Sequence, residues 1–282
     1  MTTNKPMILA LSLFLMAFTT PGALQTPVAD TLPPEPCATI NNTFQNGEKI
    51  VYKIYYNLNF VWIPAGEVVF KVFDEGNQYH YQAIGTTYDS YEWFYTVRDE
   101  YNSWVDKNTL LPNYSERNVS EGDYHIFEKI SFNQRDRKMT VWRSKKRGEE
   151  EAKTEHTVTD CVHDVLSSLY LLRNQDFSNQ PDGSAFPFRI FMDKEEFPLK
   201  MKYAGKEGKK KVYGMGKYKT MKFQPDVIAG NVFKEDAKMT VWVSDDQNRI
   251  PLLIETPVSV GSVKMVIKEY RGLKYDFTAK AD

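Results

Sequence analysis

Residues 159–174 read TDCVHDVLSSLYLLRN, and this stretch predicts one amphipathic α-helix in a chain that otherwise alternates like a β protein. Asp160 is expected to cap its amino end, and Arg173 and Asn174 are expected to close its carboxyl end. A helix this short is marginal in water, so it needs a large apolar surface, which only the β-rich flanks offer. Its apolar stripe consists of Val162, Val165, Leu166, Leu169 and Leu172.

The segments on both sides of this helix predict strands. Residues 50–56, 67–73, 93–105, 199–203 and 217–223 are rich in β-branched and aromatic side chains or alternate apolar with polar ones. A sheet of about ten or more strands curls rather than staying flat. The sequence therefore predicts a mainly β fold. We expect a large, strongly curved antiparallel sheet, a half-barrel or open β-roll, with the one amphipathic helix packed in its concavity.

The amino-terminal region predicts export rather than folded structure. Residues 1–25 are interpreted as a cleaved signal peptide, because Lys5 precedes an apolar run over residues 7–18 that is short for a membrane span. An uncleaved anchor is the alternative. Residues 26–44 form a Pro-rich linker and residues 45–278 a single β-rich domain. No later segment reaches about 18 apolar residues, so we expect no transmembrane span in the mature chain.

The chain has two cysteines, Cys37 and Cys161, and both follow the predicted signal peptide. In an oxidising compartment such a pair tends to close, so a disulfide is predicted, with two free buried thiols as the alternative. The loop would exceed one hundred residues, and its closure would contribute about 4 kcal/mol. A lipoprotein anchor at Cys37 is rejected because Pro36 stands where a small residue is required.

One pentapeptide occurs twice in the chain. KMTVW is found at residues 138–142 and again at residues 238–242. Two similar β halves joined by the helix at residues 160–174 would explain this repeated sequence. Convergence of unrelated hairpins on similar residues is the other interpretation, because no fixed period runs through the chain.

Aromatic side chains are dense around residues 88–95 and suggest a site that lines a cavity for an apolar ligand or stacks on sugars. Ordinary cross-strand packing of aromatic rings is the alternative. The candidate ligand-binding residues are Trp62, Tyr88, Tyr91, Trp93, Phe94 and Trp104, with Leu166 and Leu169 from the helix.

Lysines alternate with apolar residues late in the chain. Lys200 and Lys202 flank Met201, and Lys217 and Lys219 flank Tyr218. A strand with this pattern has one apolar and one basic face. We consider two interpretations of these four lysines: a surface for anionic lipid headgroups or acidic glycans, and a solvated face that protects a sheet edge.

The sequence lacks the residue patterns of most familiar catalytic and metal-binding sites. The four histidines, His80, His125, His156 and His163, form neither an H-E-x-x-H motif nor a zinc spacing with cysteine. Cys161 and His163 are two residues apart and would point to different faces of a helix, which disfavours a Cys–His nucleophile. A formal net charge of −1 gives no drive toward nucleic acid. We therefore expect no catalytic residues, no metal, no cofactor and no nucleic-acid partner.

Several short motifs occur in a particular order: Gly47-Glu48, Val51-Tyr52, Ala65-Gly66, Arg98-Asp99, Leu111-Pro112, Asp164 to Ser167 with Tyr170 and Arg173, and Val241 to Asp245 followed by Ile250-Pro251. This series resembles a family of exported Gram-negative proteins labelled domain of unknown function 3108. The resemblance covers roughly residues 45–275 and implies a periplasmic, mostly β protein without an established activity. The hairpins are also similar to those of periplasmic lipoprotein carriers, whose curved sheet closes over acyl chains.

These observations leave three hypotheses for function. The first is a non-enzymatic periplasmic protein of the cell envelope that holds a lipid, a lipoprotein tail or a glycolipid between the sheet and the helix. The second is a structural or scaffolding protein in envelope or polysaccharide assembly, with an envelope protein as its partner. The third, a hydrolase, requires acid–base residues that are distant in sequence to converge in a cleft.

Overall fold

The computed structural model describes residues 37–58, 61–177, 179–228, 237–258 and 261–282. The predicted signal peptide and the first part of the predicted linker lie outside the described residues. In the described part of the chain, no helix has the length and apolar character needed to cross a bilayer.

The described residues form fifteen strands and two short helices. The helices are α1 (Asp89–Glu92) and α2 (Val165–Arg173). The strands are β1 (Lys49–Leu58), β2 (Val61–Glu75), β3 (Gln78–Thr87), β4 (Arg98–Asp106), β5 (Pro112–Glu121), β6 (Tyr124–Asn133), β7 (Lys138–Ser144), β8 (Ala152–Thr157), β9 (Ala185–Met192), β10 (Glu195–Val212), β11 (Gly216–Pro225), β12 (Thr240–Ser244), β13 (Pro251–Pro257), β14 (Ser262–Arg271) and β15 (Lys280–Ala281).

All these strands belong to one antiparallel sheet that is not closed into a barrel. Its order is β8 to β1 followed by β14 to β9, with β15 paired to β11. The first eight strands therefore form one meander, strands β9 to β14 form the second, and β1 pairs with β14 where they meet. Helix α2 connects β8 and β9, the two strands at opposite ends of this order. The predicted fold class is confirmed.

The segment before α2 lies between the two ends of the sheet. His163 forms a parallel bridge with Ile190 of β9, and the Val158 amide donates to the carbonyl of Arg137 beside β7. The Gln134 side chain bonds both the amide and the carbonyl of Val162. Val162 is fully buried with residues of β6, β7 and β9. This connection therefore covers the region between the two ends of the sheet, which we call the seam, without completing a strand ladder.

Helix α2 begins later than its sequence predicts. Asp164, not Asp160, is the N-cap, and its carboxylate accepts from the amides of Leu166 and Ser167. The helix cannot start earlier because the preceding residues are extended along β9. Asn174 follows with φ −89°, so the expected left-handed cap is absent at this position.

Helix α2 packs inside the curve of the sheet, as predicted. Leu166, Tyr170 and Leu171 are buried against the concave face. The Tyr170 ring stacks on Tyr81 of β3 with centroids 3.9 Å apart, and Phe44 closes edge-on at 5.1 Å from Tyr170. Val165, Leu169 and Leu172 of the predicted stripe are only partly buried against this core, so the most buried side of α2 differs from the predicted one.

The prediction of a strand beginning at Trp93 is wrong. Helix α1 occupies residues 89–92, and β4 starts only at Arg98. Tyr91 and Tyr95 are both buried, and the Tyr95 amide donates to the Tyr91 carbonyl at 3.2 Å. Aromatic residues one helical turn apart face the same side, so this pair favours a helical turn over a strand.

The β10–β11 hairpin changes its buried side along its length. In β11, Met221 and Phe223 are buried on one side, whereas Tyr218 and Thr220 are buried on the other. Tyr218 belongs to a core cluster that includes Trp242. The half of the hairpin nearest its turn, about residues 206–220, is called the distal half. It therefore leaves the concave wall and folds over the convex face of the sheet.

Candidate functional site

An apolar hollow lies between α2 and the concave face of the second meander. Its volume is about 100 Å³. Four methionines from four different segments line it, together with eight valine, isoleucine and phenylalanine side chains. The lining includes Phe70, Leu169, Leu172, Phe177, Met201, Met221, Phe223, Met239, Val241, Val243, Ile254 and Met265.

The strand register explains why these side chains face the hollow together. Val241 of β12 lies opposite Ile254 of β13, and Ile254 lies opposite Met265 of β14. Residues that are directly opposite in an antiparallel sheet point to the same face. The row continues to Ile54 of β1, which packs in a neighbouring core cluster.

The polar members of the lining come mainly from the carboxyl end of α2 and from loops. Arg249 donates to the carbonyl of Gln175 at 2.5 Å, and Asp226 accepts from the amide of Lys200 at 2.9 Å. Arg173 also lines the hollow, but its guanidinium is engaged elsewhere. This arrangement presents a mainly apolar wall with hydrogen-bonding groups on one side only.

A buried ion pair holds α2 against the start of the sheet. Arg173 donates to both carboxylate oxygens of Glu48, at 2.7 and 3.0 Å, and to the carbonyl of Asn248 at 3.0 Å. Burial opposes the charge, but the Glu48 carboxylate outweighs burial and raises the pKa of Arg173. The pair therefore joins three segments distant in sequence and leaves the hollow without a free positive charge from Arg173.

Of the eight predicted ligand-binding residues, Leu169 lines the hollow. Leu166, one turn earlier, is buried in the core between α2 and the sheet. Tyr91 and Phe94 pack in a separate core cluster, and the Tyr88 hydroxyl donates to Glu67 at 2.6 Å.

The three predicted tryptophans lie apart from the hollow. Trp104 stacks on His80 with centroids 4.4 Å apart, and Trp62 lies 4.1 Å from the Lys264 ammonium. Trp93 is 83% exposed. The six aromatic residues predicted from the sequence therefore do not converge on the hollow, and their role in ligand binding stays a prediction.

Apart from Leu169, the residues that line the hollow were not among those predicted from the sequence. The available signal was the methionines: Met201, Met221, Met239 and Met265 fall at apolar positions of the second meander. Methionine is flexible and polarisable and fills irregular spaces, so a row of methionines is a weak indicator of an adaptable wall.

The four predicted lysines are exposed but do not share one face. Lys200 and Lys202 alternate with buried Met201 and Tyr203 near the edge strand. Lys217 and Lys219 lie in the distal half of the hairpin. They point to the same side of β11 as Met221, which follows them at an alternate position. The local alternation was predicted, but the crossing of the hairpin onto the convex face was not.

A cluster of charges fastens the seam between the two ends of the sheet. Arg117 donates to Glu128 at 2.8 Å and to Asp193 at 2.5 Å, and Arg143 donates to Asp193 at 2.8 Å and also pairs with Glu128. Burial opposes ionisation, but Arg117 and Arg143 outweigh it and lower the pKa of Asp193. These contacts link β5, β6 and β7 to the β9–β10 turn. The cluster therefore has a structural role in joining the two ends of the sheet.

Asp99 and Glu121 form the buried acidic pair that would be needed for a hydrolase. Burial, and then the Glu121 carboxyl, raise the pKa of Asp99 well above its usual range. Paired carboxyls with divergent pKa values are a frequent basis of acid–base catalysis. Here the two residues are only 2% and 1% exposed, and neither lines a cavity described for residues 37–58, 61–177, 179–228, 237–258 and 261–282.

Cys37 and Cys161 form a disulfide with their Cα atoms 6.2 Å apart, so this prediction is confirmed. Asp160 lies beside the bond, and together these three residues are the one close group of potential metal ligands in the described part of the chain. Because both sulfurs are consumed by the disulfide, the group offers no thiolate to a metal and no nucleophile to a substrate.

His163 makes the stability of the protein depend on pH. Burial lowers the pKa of its imidazole from 6.5 to about 4. The unfolded chain therefore binds this proton more readily, so the stabilising contribution is present above pH 6.5 and is lost as pH falls toward about 4. We expect the wild type to lose about 3 kcal/mol more than His163→Gln over this range, since one pKa unit corresponds to about 1.4 kcal/mol.

Urea unfolding of both proteins at a series of pH values measures this difference. Burial raises the pKa of the neighbouring Asp164, which titrates in the opposite sense but is common to both proteins. Parallel stability curves for the wild type and His163→Gln would contradict the account of His163.

Comparison with known proteins finds one solved structure with a similar fold, a second with low structural similarity, and a matching family. A crystal structure of a β-barrel-like protein of domain of unknown function DUF1849 from Brucella abortus superposes with a TM-score of 0.54 and 8% identity, covering 83% of this chain and 100% of that one. A putative exported protein with a YmcC-like fold from Bacteroides fragilis gives a TM-score of 0.30 and 9% identity, with the same coverage. No curated protein sequence matches the chain.

The sequence model of one family matches residues 51–268, which span β1 to β14 and therefore include α2, the hollow and the seam. The match confirms the family that the sequence motifs indicated. The chain belongs to the family described as protein of unknown function DUF3108.

Proposed function

We propose that this protein is a non-enzymatic component of the bacterial cell envelope that holds a lipid or another amphipathic ligand in the hollow between α2 and the sheet. The observation that carries the proposal is the hollow itself, a space of about 100 Å³ with a mainly apolar wall. An engineered apolar cavity of roughly 150 Å³ stays dry and accepts a small apolar molecule. The hollow is smaller than that cavity, so it suits a short apolar segment of one ligand.

Leaving such a space empty has an energetic cost. At roughly 24 cal/mol per Å³ of cavity, an unfilled hollow of this size destabilises the fold by on the order of 2 kcal/mol. A bound aliphatic chain would offset that loss through dispersion contacts and burial of apolar surface. Met201, Met221, Met239 and Met265 would adapt to chains of different shape.

Two features support an envelope location. The apolar run at residues 7–18 follows Lys5, as in a signal peptide. The Cys37–Cys161 disulfide is a type of bond that persists in oxidising compartments such as the periplasm. Detection of the mature chain in a periplasmic fraction would test this location.

The repeated KMTVW pentapeptide supplies a matched pair of substitutions. Val241 is half-buried and lines the hollow, whereas Val141 is fully buried in the packed seam cluster. We expect Val241→Phe to fold with little loss of stability and to abolish ligand binding, because the ring occupies the hollow. Val141→Phe should cost about 1–3 kcal/mol through overpacking and leave binding unchanged.

The measurement is binding of a fluorescent fatty acid to delipidated protein, with urea unfolding of each variant as the stability control. Equal binding by the wild type and Val241→Phe would overturn the proposed site. A loss of stability in Val241→Phe as large as that in Val141→Phe would show that the space is already filled.

The exposed aromatic residues favour a second candidate, a scaffolding role in envelope or polysaccharide assembly. Trp93 at the end of α1 is 83% exposed, and large exposed aromatic side chains are frequent at protein interfaces. Affinity purification of the wild type and Trp93→Ala distinguishes the two roles. A protein partner that is lost in Trp93→Ala, with no small ligand in either preparation, would favour the scaffold.

A further inference from the structure

We infer that the distal half of the β10–β11 hairpin is a docking surface for an anionic lipid bilayer. This surface, the distal lysine face, consists of Lys206, Lys211, Lys217 and Lys219. The inference does not depend on a ligand in the hollow, because the residues involved lie outside its lining.

The strand register places these lysines on one side of the hairpin. Lys211 lies directly opposite Lys217, and Lys206 lies directly opposite Met221. Lys219 stands two residues from both Lys217 and Met221 in β11, so it shares their side. All four lysines are exposed.

The opposite side of the distal hairpin is occupied, which leaves the lysine face outward. Val212 and Tyr218 are buried in the cluster that includes Trp242 on the convex face of the sheet. The Lys210 ammonium lies 3.5 Å from the centre of the Trp242 ring, and the Tyr218 and Phe277 rings are 5.8 Å apart. The distal hairpin is therefore fixed as a second layer on the sheet.

The charges on this face are poorly neutralised. Lys206 pairs with Asp245 at 3.0 Å. Within the described ranges, none of Lys211, Lys217 and Lys219 has a carboxylate at ion-pair distance. Like charges directly opposite in an antiparallel pair destabilise it, so the Lys211–Lys217 pair opposes folding. The net charge of the chain is −1, so this density of lysine is local.

The composition of the hairpin favours a bilayer over other polyanions. Strands β10 and β11 and their turn contain no arginine, the residue that recognises phosphates and bases through bidentate hydrogen bonds. Lysine is a compact point charge that suits the diffuse potential of an anionic membrane. Tyr213, at the hairpin tip, is 73% exposed, and tyrosine is favoured at the headgroup level of bilayers.

The test is sedimentation of the purified protein with phosphatidylcholine vesicles, with and without phosphatidylglycerol, at low and high salt. We expect the wild type to bind only the anionic vesicles and to be released by salt. Each lysine near an anionic surface contributes about 1 kcal/mol, so Lys217→Gln with Lys219→Gln should weaken binding roughly 30-fold. Thermal unfolding should show no loss of stability in this variant, since it removes a like-charge pair.

Two double variants serve as controls. Lys145→Gln with Lys146→Gln removes the same charge from the exposed β7–β8 tip, and Lys200→Gln with Lys202→Gln removes it from the other side of the same hairpin. We expect both to bind within a fewfold of the wild type. Equal weakening in all three double variants would overturn the inference, as would wild-type binding to neutral and anionic vesicles alike. Binding to heparin or DNA but not to anionic vesicles would also overturn it.

Discussion

Arg173→Met is expected to lower the free energy of unfolding by about 3–5 kcal/mol, because it leaves the carboxylate of Glu48 buried without its partner. Glu48 is 1% exposed and accepts two hydrogen bonds from Arg173. The loss is the desolvation cost of an isolated charge rather than the net value of the pair. Urea unfolding of the wild type and the variant at neutral pH measures it.

A double-variant cycle separates these contributions. Glu48→Gln should be destabilising by a similar amount, and combining it with Arg173→Met should cost much less than the sum of the two. Lys153→Met is the matched control, because Lys153 and Glu155 form an exposed ion pair 3.4 Å apart. Exposed pairs contribute about 0–1 kcal/mol. Additive losses in the cycle would contradict the role given to Arg173.

Replacing both disulfide cysteines, Cys37→Ala with Cys161→Ala, is expected to destabilise the protein by about 4–5 kcal/mol. The two residues are 124 positions apart, so the bond closes a long loop and strongly restricts the unfolded chain. It also holds the segment that leads to Phe44, whose fully buried ring packs against Tyr170.

Urea unfolding with and without a reducing agent measures this effect. Reductant should shift the midpoint of the wild type to that of the double variant and leave the variant unchanged. If the oxidised wild type and the variant unfold at the same urea concentration, the disulfide does not contribute as described.

The main features of the fold could be predicted from local patterns. The alternation of apolar and polar side chains indicated the strands, and the stripe from Val162 to Leu172 placed a helix in the concavity. The start of that helix could not be predicted, because pairing of His163 with Ile190 keeps the preceding residues extended. That pairing joins residues 27 positions apart and has no local signature.

The candidate site was predicted less well, for a physical reason. Aromatic residues are conspicuous in a sequence, but Trp93 and Trp104 lie away from the hollow, whereas Val241 and Met265 line it because of strand register. Register depends on distant pairing and cannot be read from either segment alone. The change of buried side in β11, which separates Lys217 from Lys202, likewise becomes visible only when the sheet is assembled.

Native mass spectrometry of the protein as purified from cells tests the central claim most directly. If the hollow holds an amphipathic ligand, the wild type should carry an added mass that fragments as a lipid with an aliphatic chain, and Val241→Phe should appear at the mass of the bare chain. A wild type that stays at its bare mass, even after incubation with fatty acids or extracted envelope lipids, would contradict the account.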